Sequence, residues 1–107
     1  MTDAPAIPDV MDNTADHRFE ISLDGETAFA EYRLVHGAII LPHTVVPPAF
    51  EGKGIASRLA RYAMQYARDH ELKVIPTCPF MAAYMQKHPE SHELVHRLYR
   101  ERLGIAP

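Results

Sequence analysis

One cysteine, Cys78, occurs in 107 residues, and that scarcity excludes an internal disulfide. A reducing compartment is the simplest setting for such a chain, so a cytoplasmic location is expected. A basic surplus is lacking as well: 11 Lys and Arg stand against 14 Asp and Glu, for a formal net charge of −3. With no excess of cations to neutralise phosphates, nucleic acid is not expected as a partner, although one local basic patch is compatible with these counts. No apolar stretch approaches the roughly 18 residues needed to cross a bilayer, so no membrane partner is expected. The opening "MTDAPAIPDVMDNTAD" has neither the basic n-region nor the apolar run of a secretory signal. Internal repeats and low-complexity tracts are also missing.

Hydrophobic residues make up 47% of the chain and charged residues 23%, the balance of a globular protein with one modest core. Residues 1–15 carry Pro5, Pro8, small residues and aspartates without any period, which predicts a mobile tail. Residues 16–107 are expected to form a single domain, as a monomer or weak dimer.

From His17 the pattern changes. "RFEISLD" alternates Phe19, Ile21 and Leu23 with polar neighbours, as a half-buried strand does. Asp24-Gly25 is a hairpin signal, and "TAFAEYRLV" supplies the partner, with Ala28, Ala30, Tyr32 and Leu34 on one face and Phe29 on the other. After a turn at His36-Gly37, "AIILPHTVV" (38–46) is β-branched and nearly continuously apolar, which predicts a central strand covered on both sides. Pro42 within it predicts a bulge or break, because proline cannot donate to a ladder. Ile55, Leu59, Ala63, Met64 and Ala67 then recur at helical spacing up to about His70. "LKVIPTC" (72–78) reads as a short buried strand, and "PFMAAYMQKH" as a short helix with Pro79 in its first turn. "ESHELVHRLYRERLG" reads as a final amphipathic helix stopped by Gly104. The order β-β-β-α-β-α-α predicts a small α/β fold with a central mixed sheet.

The stretch "EGKGIAS" (51–57) lies between a buried strand and the long helix. Backbone N–H groups at a helix N-terminus are unpaired and sit at the positive end of the dipole, and glycines let a phosphate approach them closely. The plainer reading is that Gly52 and Gly54 only turn the chain. A Walker loop is excluded, since G-x-x-x-x-G-K must be followed by Ser or Thr and here Lys53 precedes the second glycine.

Wider context bears on that choice. "VVPPAFEGKGIASRLARYAMQYARD" followed by "LKVIPTCPFMAAYMQKHPE" resembles the coenzyme-A-binding part of the GCN5-related N-acetyltransferase superfamily, and more closely its very short branch. The motifs "HTVVP", "GKGIA" and "PTC" stand in that branch's order, and the resemblance runs from about His17 to about Arg97.

The resemblance implies a minimal acetyltransferase-like fold using acetyl-CoA. The N–H groups of Gly52, Lys53, Gly54, Ile55, Ala56 and Ser57 would take the coenzyme A pyrophosphate. The superfamily pattern Gln/Arg-x-x-Gly-x-Gly/Ala falls on Glu51, Gly54 and Ala56. Glu51 departs from it: an acid beside pyrophosphate is unfavourable unless its side chain points away. Lys53 and Arg58 are close enough in sequence to offset that charge, or are simply solvated cations at a helix start. Val45 and Val46 would pair in sheet fashion with the pantetheine arm, in a slot opened by a splay between their strand and "LKVIPTC". Cys78, at a strand end and a helix start, is either an acyl acceptor or base at the site or a small buried hydrophobe. Tyr84 falls where superfamily members often carry a tyrosine that protonates the leaving thiolate. His43 is a candidate for deprotonating the acceptor amine directly or through water.

A competing motif is "HELVH" (92–96), which matches H-E-x-x-H with two histidines four apart, as on one face of a zinc protease helix. Seven histidines in a short chain make such a match unsurprising, so no metal site is expected. The leading expectation is therefore transfer of an acetyl group from acetyl-CoA to an amine by direct attack on the thioester. The acceptor (protein lysine, polyamine or metabolite) is not legible. The alternatives are a coenzyme-A-binding module without catalysis and a zinc hydrolase.

Overall fold

In the computed structural model, which describes residues 7–106, the first strand begins earlier than the sequence pattern indicates. β1 (Met11–Asn13) pairs antiparallel with β2 (Arg18–Leu23), so part of the expected tail belongs to the sheet. Three residues are too few to display a period, and β1 is held by side chains: the Tyr32 hydroxyl donates to Asp12 Oδ1 at 2.7 Å and Asn13 Nδ2 donates to Glu20 at 3.0 Å. Residues 1–6 of that expected tail lie outside the described residues.

β2 and β3 (Glu26–Val35) form the hairpin that the alternation predicts. Asp24 and Gly25 both take positive φ, 53° and 80°, which is the requirement of a two-residue I′-type turn. Phe19, Ile21, Ala28, Ala30 and Tyr32 are buried on one face. Leu34 departs from expectation at 53% exposed, although its cross-strand partner Ile39 is fully buried, so cover at this end of the sheet stops at β4.

β4 (Ala38–Val45) pairs antiparallel with β3 and parallel with β5 (Lys73–Ile75). The sheet order is β1-β2-β3-β4-β5, a mixed sheet as expected. Pro42 does mark a bulge. The register passes from Glu31↔His43 to Arg33↔Ile40, two residues of β3 against three steps of β4. Ala38, Ile39 and Leu41 are buried, but His43 and Val45 are exposed, so β4 is covered on both sides only in its first half.

α1 (Ile55–Asp69) crosses over between β4 and β5 and packs on the face carrying Phe19, Ala30 and Tyr32. Its buried stripe is Ile55, Leu59, Ala60, Ala63, Met64 and Ala67. Alanines on both α1 and β3 let helix and sheet approach closely. α2 (Pro79–Lys87) follows β5, with Cys78 at its N-cap and Pro79 at the first helical position.

The expected last helix is replaced by a 3-10 segment (Pro89–Leu94), an extended Val95 and the single turn α3 (Arg97–Arg100). The cause is the free edge of β5. Val95 is buried, bridges in parallel to Val74, and the following His96 N–H donates to Val74 O at 2.9 Å, which holds the chain extended where a helix would have continued. Gly104 does end the helical region, with φ of 72°.

Candidate active site

β4 and β5 pair through Ala38↔Lys73, Ile39↔Val74 and Ile40↔Ile75, and then part. β5 stops before Pro76, which has no N–H to offer. Cys78 N–H closes the fork by donating to Leu41 O at 2.9 Å, while β4 continues to Val45. The bulge at Leu41-Pro42 sits at this fork and turns the last residues of β4. Thr44 faces Cys78, whose thiol lies 3.5 Å from the Thr44 hydroxyl and is buried. His43 and Val45 point to the other face and are exposed, whereas Val46 packs against the core.

The chain then turns through Pro47-Pro48 into a 3-10 turn (Pro48–Phe50), anchored by the buried Phe50. Glu51 N–H donates to Pro48 O and Lys53 N–H to Phe50 O. Gly52 and Gly54 have φ of 79° and 69°, so both positions favour glycine for conformation. A Cβ on either would meet no protein atom within 4 Å, so the space above them is open. Gly54 caps α1 without a side-chain hydrogen bond, and the first helical bond runs from Arg58 N–H to Gly54 O at 3.1 Å. The N–H groups of Ile55, Ala56 and Ser57 consequently have no intrahelical acceptor. No acidic residue lies in the first turn, so the positive end of the 15-residue helix dipole has no carboxylate partner there. The side chain of Ile55 is buried and fixes the turn, while Glu51, Gly52, Lys53, Gly54 and Ser57 are exposed. Arg58 reaches away from the turn, toward Ile7 O at 3.4 Å.

Thus one end of the sheet brings together His43, Thr44, Val45, Val46 and Cys78, with the glycine turn 51–58 next in the chain. Tyr84 is on α2 with its ring stacked on His88, centroids 3.9 Å apart. Among the described residues, no hydrogen bond ties the Tyr84 hydroxyl to Cys78, Thr44 or His43. The "HELVH" histidines do not share a helical face. His92 lies in the 3-10 segment with a buried, unpartnered Nε2, and His96 caps α3 by accepting from Leu98 N–H at 3.2 Å. Among the described residues no group of three His, Cys, Asp or Glu side chains is placed to hold a metal ion.

Two features escaped sequence reasoning. Thr44 carried no motif of its own beyond its place in "HTVVP". Glu31 lies opposite His43, a relationship set by the bulge register.

A family model described as GCN5-related N-acetyl-transferase matches residues 18–94. The chain belongs to that family. The matched span includes the fork, the glycine turn and α2, and it ends before α3. Among curated relatives, Protein NATD1 of Gallus gallus is 34% identical over 82 residues, covering 74% of each chain. Protein NATD1 of Xenopus tropicalis is 36% identical over 75 residues, 67% of this chain and 69% of the relative. Protein NATD1 of Danio rerio is 33% identical over 89 residues, 80% of this chain and 76% of the relative. The small α/β fold with its five-stranded mixed sheet is consistent with a minimal member of the family.

Proposed function

We propose that this chain is an acetyl-CoA-dependent N-acetyltransferase working at the β4–β5 fork. The observation that carries the reading is a forked parallel strand pair followed by a helix whose N-cap, Gly54, and preceding turn residue, Gly52, are both left-handed glycines. The open space above Gly52 and Gly54 and the free N–H groups of the first turn fit a pyrophosphate. The end of β4 at Val45, paired to β3 but no longer to β5, and the adjoining Val46 fit an amide-bearing arm laid along that side as an added strand. Acetyl-CoA supplies an acyl group activated as a thioester.

The chain's own residues orient and exclude water. The backbone of β4 would fix and polarise the carbonyl. His43, exposed on the open face, would take the proton released as the amine nitrogen attacks and the carbon–sulfur bond breaks. Cys78 and Thr44 would line the floor of the fork, and Cys78 or Tyr84 would return a proton to the departing sulfur.

Thermal melting with acetyl-CoA tests the reading. At a ligand concentration 100 times Kd, stability should rise by about 2.7 kcal/mol. Absence of any shift with acetyl-CoA or coenzyme A would sink it. A second reading, a coenzyme-A-binding module without efficient transfer, is favoured by the placement of Tyr84, whose ring stacks on His88 and whose hydroxyl, among the described residues, has no bond to the fork. A melting shift without thiol release across a broad panel of amines would select that second reading.

A further inference from the structure

Four polar side chains form one row across the uncovered face of the sheet. Cross-strand pairing sets Asn13 beside Arg18, Arg18 beside Glu31, and Glu31 beside His43. The row ends at His43, on the strand that borders the fork. Its neighbouring row runs Met11, Glu20, Phe29, Val45. His43 and Val45 are exposed, so among the described residues this face is open beside the fork, and Met11 is exposed at the opposite edge of the sheet.

Charge along the row is unevenly satisfied. Arg18 is held by Glu20 at 2.5 Å, lies 3.8 Å from Asp16, and stands over the Phe29 ring at 4.4 Å. Phe29 stands on the same strand as Glu31, so the guanidinium reaches β3 but spends its hydrogen bonds on Glu20, and among the described residues it forms no ion pair with Glu31. Glu31 is half-buried, yet among the described residues its carboxylate has no side-chain hydrogen bond and no ion pair within 4 Å. Arg33, two residues along the same face, is exposed and lies toward the hairpin end, opposite Ile40 rather than His43. Directly opposed residues on an antiparallel pair have Cβ atoms roughly 4.5–5.5 Å apart. Glu31 therefore stands one strand spacing from His43, on the side away from the fork. It also lines a cleft of about 410 Å³ with Asp16, His17, Tyr32, Arg33 and Leu34, on the side of Glu31 away from His43.

We infer that Glu31 is the specificity-determining carboxylate of the acceptor site: it captures an aliphatic ammonium approaching over the open sheet face and hands its nitrogen to His43. This rests on the fork being the place of acetyl transfer. A partly desolvated carboxylate without a partner favours a cation over a neutral amine, and charge-assisted hydrogen bonds are the stronger kind. The site therefore selects aliphatic ammonium groups, whether on a lysine side chain or a polyamine, over uncharged amines of similar size.

The test begins with binding, which does not depend on turnover. n-Butylammonium and its neutral counterpart n-butanol are titrated into the labelled protein while the Glu31 carboxylate and His43 ring resonances are followed by NMR. Both should move saturably with n-butylammonium and stay fixed with n-butanol, and Glu31→Gln should abolish the His43 response while leaving the fold and acetyl-CoA binding unchanged. An equal His43 response in wild type and Glu31→Gln, or no response in wild type, overturns the inference whatever acetyl-CoA does. In thiol-release assays Glu31→Gln should lower kcat/KM for spermidine or a lysine peptide about tenfold or more, chiefly through KM, and leave a neutral arylamine unaffected. Equal losses for charged and neutral amines would count against Glu31. The ratio of the spermidine and peptide effects tells which source the site prefers.

Discussion

The thiol of Cys78 lies 3.5 Å from the hydroxyl of Thr44, where β5 has ended and β4 goes on. The same residue closes the fork through its backbone N–H, 2.9 Å from Leu41 O. Cys78 thus shapes the slot twice, once by main chain and once by side chain. A buried thiol occupied with a neighbouring hydroxyl is placed to pack and to donate rather than to carry an acyl group.

Intact mass spectrometry after mixing with acetyl-CoA should accordingly show no acetylated protein on the catalytic timescale. Cys78→Ala should retain transfer within about tenfold and cost about 1 kcal/mol of stability, as truncations of small buried groups do. Accumulation of an acetyl adduct that disappears in Cys78→Ala would establish a covalent route instead.

Gly54 takes φ of 69° at the N-cap of α1, with open space where a Cβ would stand. A side chain there meets strain from the backbone and not from neighbours. Gly54→Ala should lose about 1–2 kcal/mol in thermal melts. Gly54→Val should lose more and should also lose the acetyl-CoA-induced shift, because its side chain would fill the open space that the pyrophosphate is proposed to take. A Gly54→Val protein that still folds and binds acetyl-CoA undiminished would refute the assignment of the turn to pyrophosphate.

Zinc should leave the melting temperature unchanged. H-E-x-x-H binds metal only when an α-helix brings its histidines to one side, and Val95 is extended between them. A saturable stabilisation by zinc, removed by His92→Ala, would show that the segment refolds around metal.

Much of this architecture was legible because it follows from short-range patterns. Alternation located β2 and most of β3, Asp24-Gly25 located their turn, and the spacing from Ile55 to Ala67 located α1. Pro42 announced a bulge but not its consequence, since a register that skips a residue cannot be counted from sequence. For that reason the pairing of Glu31 with His43 was not legible. β1 is too short to have a period, and the Val95 bridge depends on a strand edge 21 residues earlier in the chain, at Val74. The glycine turn stood out through the order of its flanking motifs. Where Tyr84 stands on α2, with its ring stacked on His88, depends on how that helix packs, which no local pattern encodes.

Tyr32 and Asp12 fasten the β1 edge strand to the sheet, and alkaline titration will show it. Burial, and then the hydrogen bond and charge of Asp12, push the Tyr32 phenol well above its ordinary value of 10.0. Tyr62 and Tyr66 are raised in the same direction, first by burial and then by the Asp12 charge. A phenol raised in the folded state contributes stability that is fully present below its unfolded value near 10. Above that, the unfolded chain releases protons that the folded chain retains, and stability falls as pH rises toward the folded value. Unfolding free energy should therefore hold level up to about pH 10 and decline beyond it. Tyr32→Phe should cost about 1 kcal/mol at neutral pH, because Asp12 is left without its donor, and should make the alkaline decline shallower. Denaturant titrations across that range, read with tyrosinate absorbance, check both parts; an unchanged alkaline slope in Tyr32→Phe would place the effect in Tyr62 and Tyr66 instead.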